Sequence, residues 1–159
     1  MRIFLAALAG AAIVFVVSAI LHMATPLGEM GVQALPESAS ATLAAIAPNG
    51  GLFAFSGTAY GLLVITKGPG AEMTPGQLGA EFLANLVAAF IAAVLIARMN
   101  APYGARVLAV ALLAAFAFFS LSMSHAIWYK FPLAFVLASF VTEVTAWALA
   151  GLAMAKIVR

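Results

Sequence analysis

The stretch "LASFVTEVTAWALAG", Leu137 to Gly151, is apolar except for small hydroxyls and one carboxylic acid, Glu143, at its centre. An acidic group deep in hydrocarbon costs a few kcal/mol, so it must face protein, find a partner, or be protonated. Ser139, Ala146 and Ala150 stand at i−4, i+3 and i+7 from it, so Glu143 borders a face of small residues that points toward protein. Asn85, Ser139 and Thr142 join it as an intramembrane polar or proton-site set, and Ser18, Ser120 and Thr145 are further hydrogen-bonding candidates. Two chemistries are open: a proton or cation site, or a protonated carboxyl that ties helices together.

The second constellation is a pair of imidazoles. His22 in "SAILHMATP" and His125 in "SLSMSHAIWYK" each have a methionine close by, Met23 and Met123. Two histidines can ligate a haem iron axially, and histidine with methionine suits copper. The alternative is an interfacial pair bonded to water, and Trp128 and Tyr129 beside His125 fit that level, where aromatic side chains gather.

Other catalytic patterns are missing. The sequence has no H-E-x-x-H, no G-x-S-x-G and no phosphate-binding loop, and it contains neither cysteine nor aspartate. Disulfides, thiolate metal sites and Ser-His-Asp triads are thereby excluded. Glu29, Glu37, Glu72 and Glu81 are spread along the chain without pairing at helical spacing.

The surrounding chain sets the solvent. Of 159 residues, 66% are hydrophobic and 8% charged, against roughly 25% charged in soluble domains. A net charge of +2 comes from seven basic and five acidic residues, too few for a nucleic-acid surface. A helix crossing a bilayer needs about 20 apolar residues. Residues 3–24, 79–97, 105–127 and 131–158 meet that requirement. The first segment also has the form of a signal peptide, but its long apolar run and the lack of an A-x-A site favour a retained anchor. "GGLFAFSGTAYGLLVITKG" is interrupted by Ser56, Gly57, Thr58 and Gly61, and it reads as two strands around a turn rather than as a fifth span.

Charge placement agrees with four spans. With the N-terminus inside, Arg2, Arg98, Arg106, Lys156 and Arg159 are cytoplasmic, and Lys67 and Lys130 lie outside. Residues 25–74 then form one extracytoplasmic segment, long enough to fold as a cap against the bundle mouth. "LPESASATLAAIAPNGG" predicts a short helix within it, capped by Ser38 or Ser40 and stopped at Pro48 to Gly51.

The expected fold is all-α: an antiparallel four-helix transmembrane bundle with a small cap holding a short helix and a β-hairpin. Small residues let membrane helices approach closely. Three stripes at four-residue spacing serve that purpose: Ala6, Gly10, Val14 and Ser18; Ala80, Ala84, Ala88 and Ala92; and Ala138, Thr142, Ala146 and Ala150. Ala7 and Ala11 flank the first stripe, and Ala89, Ala93 and Ala97 the second.

The order "LH", "ALPES", "NGGLFAFSG", "KGP" and "AIWYKFP" resembles a group of small bacterial four-span membrane proteins with an extracytoplasmic insert between the first two spans. The resemblance covers most of the chain. It implies the topology and supplies no activity and no catalytic residues.

The function expected from these features is a non-enzymatic accessory subunit of the bacterial inner membrane, with both termini cytoplasmic. Its partners are the lipid bilayer and other membrane subunits or further copies of itself. The alternatives are a small proton- or cation-coupled transporter using Glu143, and a haem- or copper-binding redox module using His22 and His125.

Overall fold

A computed structural model of the chain describes residues 1–66 and 73–158. Lys67, Glu72 and Arg159, which entered the charge and acid assignments, lie outside the described residues.

Four helices are long and apolar enough to cross a membrane. The first is α1 (Arg2–Met23). A single 3₁₀ turn, Pro26–Gly28, follows it, and then the short helix α2 (Glu37–Ile46) and a hairpin of β1 (Gly51–Phe55) and β2 (Gly61–Ile65). Next come α3 (Pro75–Arg98), α4 (Tyr103–Ala117) and α5 (Met123–Tyr129), the last two joined through a π-helical turn at Phe118–Ser122 into one rod. The fourth long helix is α6 (Leu133–Ile157).

The boundaries follow local chemistry. Hydropathy alone starts the second span at Gly79, but α3 begins four residues earlier. There Thr74 accepts a bond from the Gln77 N–H while the Gln77 side chain accepts from the Thr74 N–H, a capping box with Pro75 in the first turn. In α2 neither Ser38 nor Ser40 is the cap. Pro36 takes that position without a side-chain bond, and Glu37 places its acid in the first turn.

The hairpin is antiparallel in the register Gly51↔Ile65 to Phe55↔Gly61, with Ser56 to Tyr60 in the loop. Lys130 ends α5 in the left-handed region at φ 57°, and the Phe131 N–H reaches back to the Ala126 carbonyl at 3.1 Å. That arrangement closes the α5–α6 turn.

The long helices do not form a closed square. Helix α1 packs along α3 and α6, and α6 also packs along α4, while α3 and α4 meet only sparsely. Small residues carry the closed seams. Gly10 sits where three helices converge: a Cβ there would stand 2.5 Å from Met154 Sδ and 3.3 Å from the Ala89 Cβ. Gly151 plays the same part between α6 and α4, against Val110 and the Val107 carbonyl. Phe15 of α1 meets Phe82 of α3 edge-on at 5.9 Å.

The stripes expected on α1 and α6 are borne on these seams, with Ala6, Gly10 and Val14, and Ala138, Ala146 and Ala150, all buried. On α3 the buried residues are instead Ala89, Ala92, Ala93 and Ile96. Ala80, Ala84 and Ala88 are exposed, because α1 packs on the flanking face.

The antiparallel order brings Arg2, Arg98, Arg106 and Lys156 to one end, where Tyr103 donates to the Leu152 carbonyl and Arg106 to the Met99 carbonyl. Lys130, the 3₁₀ turn, α2 and the hairpin belong to the other end. The 3₁₀ turn packs on α1 and α6, with Gly31 against Phe135. Helix α2 and the hairpin line one hollow together, and among the described residues the 3₁₀ turn is the part of this segment that packs extensively on the long helices.

Candidate functional site: a carboxyl at an open cleft

Glu143 lies ten residues into α6, roughly 15 Å along its axis at 1.5 Å per residue. Its side chain is half-buried, and Oε1 accepts a hydrogen bond from Trp147 Nε1 at 3.1 Å. Both residues lie on one helix at i and i+4, the spacing at which side chains on a helix meet. An indole N–H can only donate, so burying the Trp147 ring creates a demand that Glu143 meets. Trp147 itself is 8% exposed.

The pair closes the floor of a cavity of about 210 Å³. Its walls are Ala88, Ile91 and Ala92 of α3 on one side, and Leu113, Ala114 and Ala117 of α4 on the other. These are the two helices that barely touch, so the cavity opens sideways between them. A second apolar hollow of about 380 Å³, between Leu95 and Met99 on α3 and Ala109 to Leu113 on α4, extends the same gap toward the α3–α4 loop.

The other polar candidates are distributed differently from their sequence grouping. Asn85 donates to Glu81 Oε1 at 3.2 Å. These two share the α3 face that carries Ala88 and Ala92 at i+3 and i+7 from Asn85. Ser139 donates to the carbonyl of Phe135 at 2.8 Å. Thr142 is half-buried within the small-residue stripe, and Ser18 is half-buried on α1. Ser120 and Thr145 are exposed. None of these hydrogen-bonds to Glu143. Trp147 does, and the signal for it was available in the sequence as an obligate donor four residues away.

The histidines have separate surroundings. His22 closes α1, and the backbone of Gly28 crosses so near that a Cβ there would lie 2.0 Å from the His22 carbonyl oxygen. His125 lies against Tyr129, ring centroids 5.9 Å apart, and borders a cavity of about 210 Å³ with Ser122, Ser139, Phe118 and Phe131. The π-turn shapes that cavity: it brings Phe118 onto Phe140 at 5.1 Å and rotates Ser122 and His125 toward α6. Met23 is 65% exposed, whereas Met123 packs with Phe118, Ala126, Val136 and Phe140.

Compared with known protein families, characterised proteins and solved structures, the chain has no match. Its site is therefore read from geometry alone. Among the described residues, no group of three or more His, Cys, Asp or Glu side chains comes together, and no polar or charged residue is fully buried. Glu143 at its cleft is thus the deepest ionisable group for which a cavity, walls and a hydrogen-bond partner can all be named.

Proposed function

We propose that the chain is a small, non-enzymatic subunit of the bacterial inner membrane, of the four-span kind its motifs resemble, with both termini cytoplasmic. It packs in a larger membrane assembly through the cleft between α3 and α4. The observation that carries this reading is the carboxyl of Glu143 at a lateral opening walled by alanines. In lipid, close approach of backbones and interhelical hydrogen bonds drive helix association. Helix α3 has two small-residue faces. Ala89 and Ala93 are used against α1, while Ala80, Ala84 and Ala88 remain exposed toward the opening. A helix laid along that second face meets alanines at close range, and a donor on it reaches the Glu143 oxygen that Trp147 leaves unused. The basic residues gathered at the termini end support the orientation.

The chain has no cysteine, so a photo-reactive amino acid or a single introduced cysteine reports contacts cleanly. Cross-linkers at Ala88 and Ala117 are expected to capture one partner of defined mass in native membranes. The same group at Leu8, on the exposed side of α1, is expected to capture only lipid. Lipid adducts alone from all three positions would sink the reading.

A second reading, a small proton- or cation-coupled transporter using Glu143, draws support from the hydrogen-bonded Glu81 and Asn85, which stand two turns and one turn before the cavity-lining Ala88 on the same face of α3. Reconstitution in vesicles separates the two. Glu143→Gln abolishes pH-driven uptake under the transporter reading and leaves partner cross-linking nearly intact under the subunit reading.

A further inference from the structure

The segment between the first two long helices holds the largest of the hollows described. Helix α2 lies over one face of the hairpin and leaves an apolar trough of about 640 Å³ between them. Leu35, Leu43 and Ile46 line it from the helix side, and Phe53, Leu63 and Ile65 from the sheet side. Thr42 is the one polar residue in the lining, and its hydroxyl is already used, donating to the Ser38 carbonyl at 3.0 Å. Every other lining side chain is apolar. Water gains little in a hollow without polar partners, and the volume lies within the roughly 300–1,000 Å³ range of ligand sites.

The strand register explains why the trough is apolar and also what surrounds it. Residues 53, 55, 63 and 65 share the face under α2, and residues 52, 54, 62 and 64 share the opposite face. That opposite face is Leu52, Ala54, Leu62 and Val64, with Leu52 and Val64 exposed at 66% and 69%. A hairpin standing in water normally alternates apolar with polar residues; this one is apolar on both sides.

Its tethers are short. Nine residues separate Ile65 from Pro75, so the trough lies within about 35 Å of the start of a helix that is long and apolar enough to cross a bilayer.

We infer that the trough between α2 and the hairpin holds one acyl chain of a bilayer lipid. The inference rests on the membrane reading proposed above. The lining fixes the chemistry as aliphatic, and under that membrane reading the bilayer that α3 enters is the nearest source of aliphatic chains; the outer face of the hairpin is apolar as well. The headgroup stays outside, since the lining offers it no partner.

The test uses the full chain in nanodiscs containing a phosphatidylcholine with a diazirine at the end of one acyl chain. After irradiation, adducts are mapped by mass spectrometry. Adducts are expected on the trough residues of α2 and the hairpin, and also on the outward residues of α3. Ala39→Trp fills the trough from the helix side, since Ala39 lines it. It is expected to lower trough labelling about tenfold, the effect of ~1.4 kcal/mol, and to leave α3 labelling unchanged.

Thr42→Val keeps the lining shape and should retain full labelling, which keeps the test sound if the tryptophan disturbs α2. Leu62→Ser changes only the outer hairpin face and should also retain it. Labelled α3 with an unlabelled trough overturns the inference alone, whereas no labelling of α3 overturns the membrane reading beneath it. Equal trough labelling in Ala39→Trp, or its loss in Leu62→Ser, would assign the adducts to the hairpin's outer surface and overturn the inference. Labelling by diazirine-tagged palmitic acid but not by the phospholipid would overturn the bilayer source.

Discussion

The α1 seam and the α3–α4 gap are built from the same residue, alanine, and behave oppositely. Along the seam, Ala6, Ala7 and Ala11 of α1 are fully buried with Ala89 and Ala93 of α3, and Gly10 lets Met154 of α6 enter between them. Across the gap, Ala88 and Ala117 are exposed and enclose a hollow with Glu143 at its floor. A small residue permits close approach but does not enforce it. What closes the seam is the fit of a large neighbour into the space that small residues leave, and the gap has no such neighbour among the described residues. Under the membrane reading proposed above, no hydrophobic force between helices makes good the difference, so packing contacts decide.

The largest expected effect comes from spoiling that fit. Gly10→Leu puts a branched side chain where even a Cβ would lie 2.5 Å from Met154 Sδ. Overpacking of this kind costs about 1–3 kcal/mol or more, and with three helices converging the upper part of that range is expected. Thermal or SDS unfolding in detergent measures it. Adding Met154→Ala should recover part of the loss, since the methionine is the group in the way, and a double-mutant cycle gives the coupling. If the two changes simply add, the seam does not depend on this contact and the comparison with the gap weakens.

How much of this was legible in the sequence follows from which forces act locally. The four long helices and the hairpin were readable because length, apolarity and turn residues are local properties. The stripes on α1 and α6 were readable too, since Gly10 and Ala150 leave room for any neighbour. The choice between two alanine faces on α3 was not, because both are equally small and the position of α1 decides between them. The π-turn at Phe118–Ser122 has no local signature; the stacking of Phe118 and Phe119 on Phe140 from α6 accompanies it. Glu143 stood out at once as the lone acid of its span. Its partner was harder to see, since attention falls on hydroxyls and amides while the donor was the indole of a residue read as apolar.

An intermediate effect is expected at that pair. Trp147→Phe removes the donor to Glu143 together with the pyrrole part of a buried indole. The lost bond should cost about 0.5–1.5 kcal/mol, and the space left by the smaller ring adds to it. Glu143→Gln retains a carbonyl acceptor for the indole and should cost less than the Trp147 change. The same unfolding assay ranks them. A Gln substitution more costly than Trp147→Phe would mean that the second carboxyl oxygen carries a contact within the isolated chain, and the cleft would then be less available than its geometry indicates.

The smallest effect on the isolated chain should come from the gap itself, where the consequence for assembly is greatest. Ala88→Leu and Ala117→Leu place larger side chains on exposed positions of α3 and α4 and touch no seam. Their stability cost should stay within about 0.5 kcal/mol, as for substitutions away from packed features. Occupying the hollow nonetheless removes the close-approach surface beside Glu143, so cross-linking to a partner from elsewhere along the cleft, for instance Leu113, should fall sharply. Gly10→Leu and Ala117→Leu therefore form an opposed pair. One weakens the fold because its small residue already has a neighbour; the other leaves the fold intact and removes the place where a neighbour from another chain would sit. An Ala117→Leu protein as unstable as the Gly10 variant would show that α3 and α4 close on one another in the bilayer, and the distinction between seam and gap would vanish.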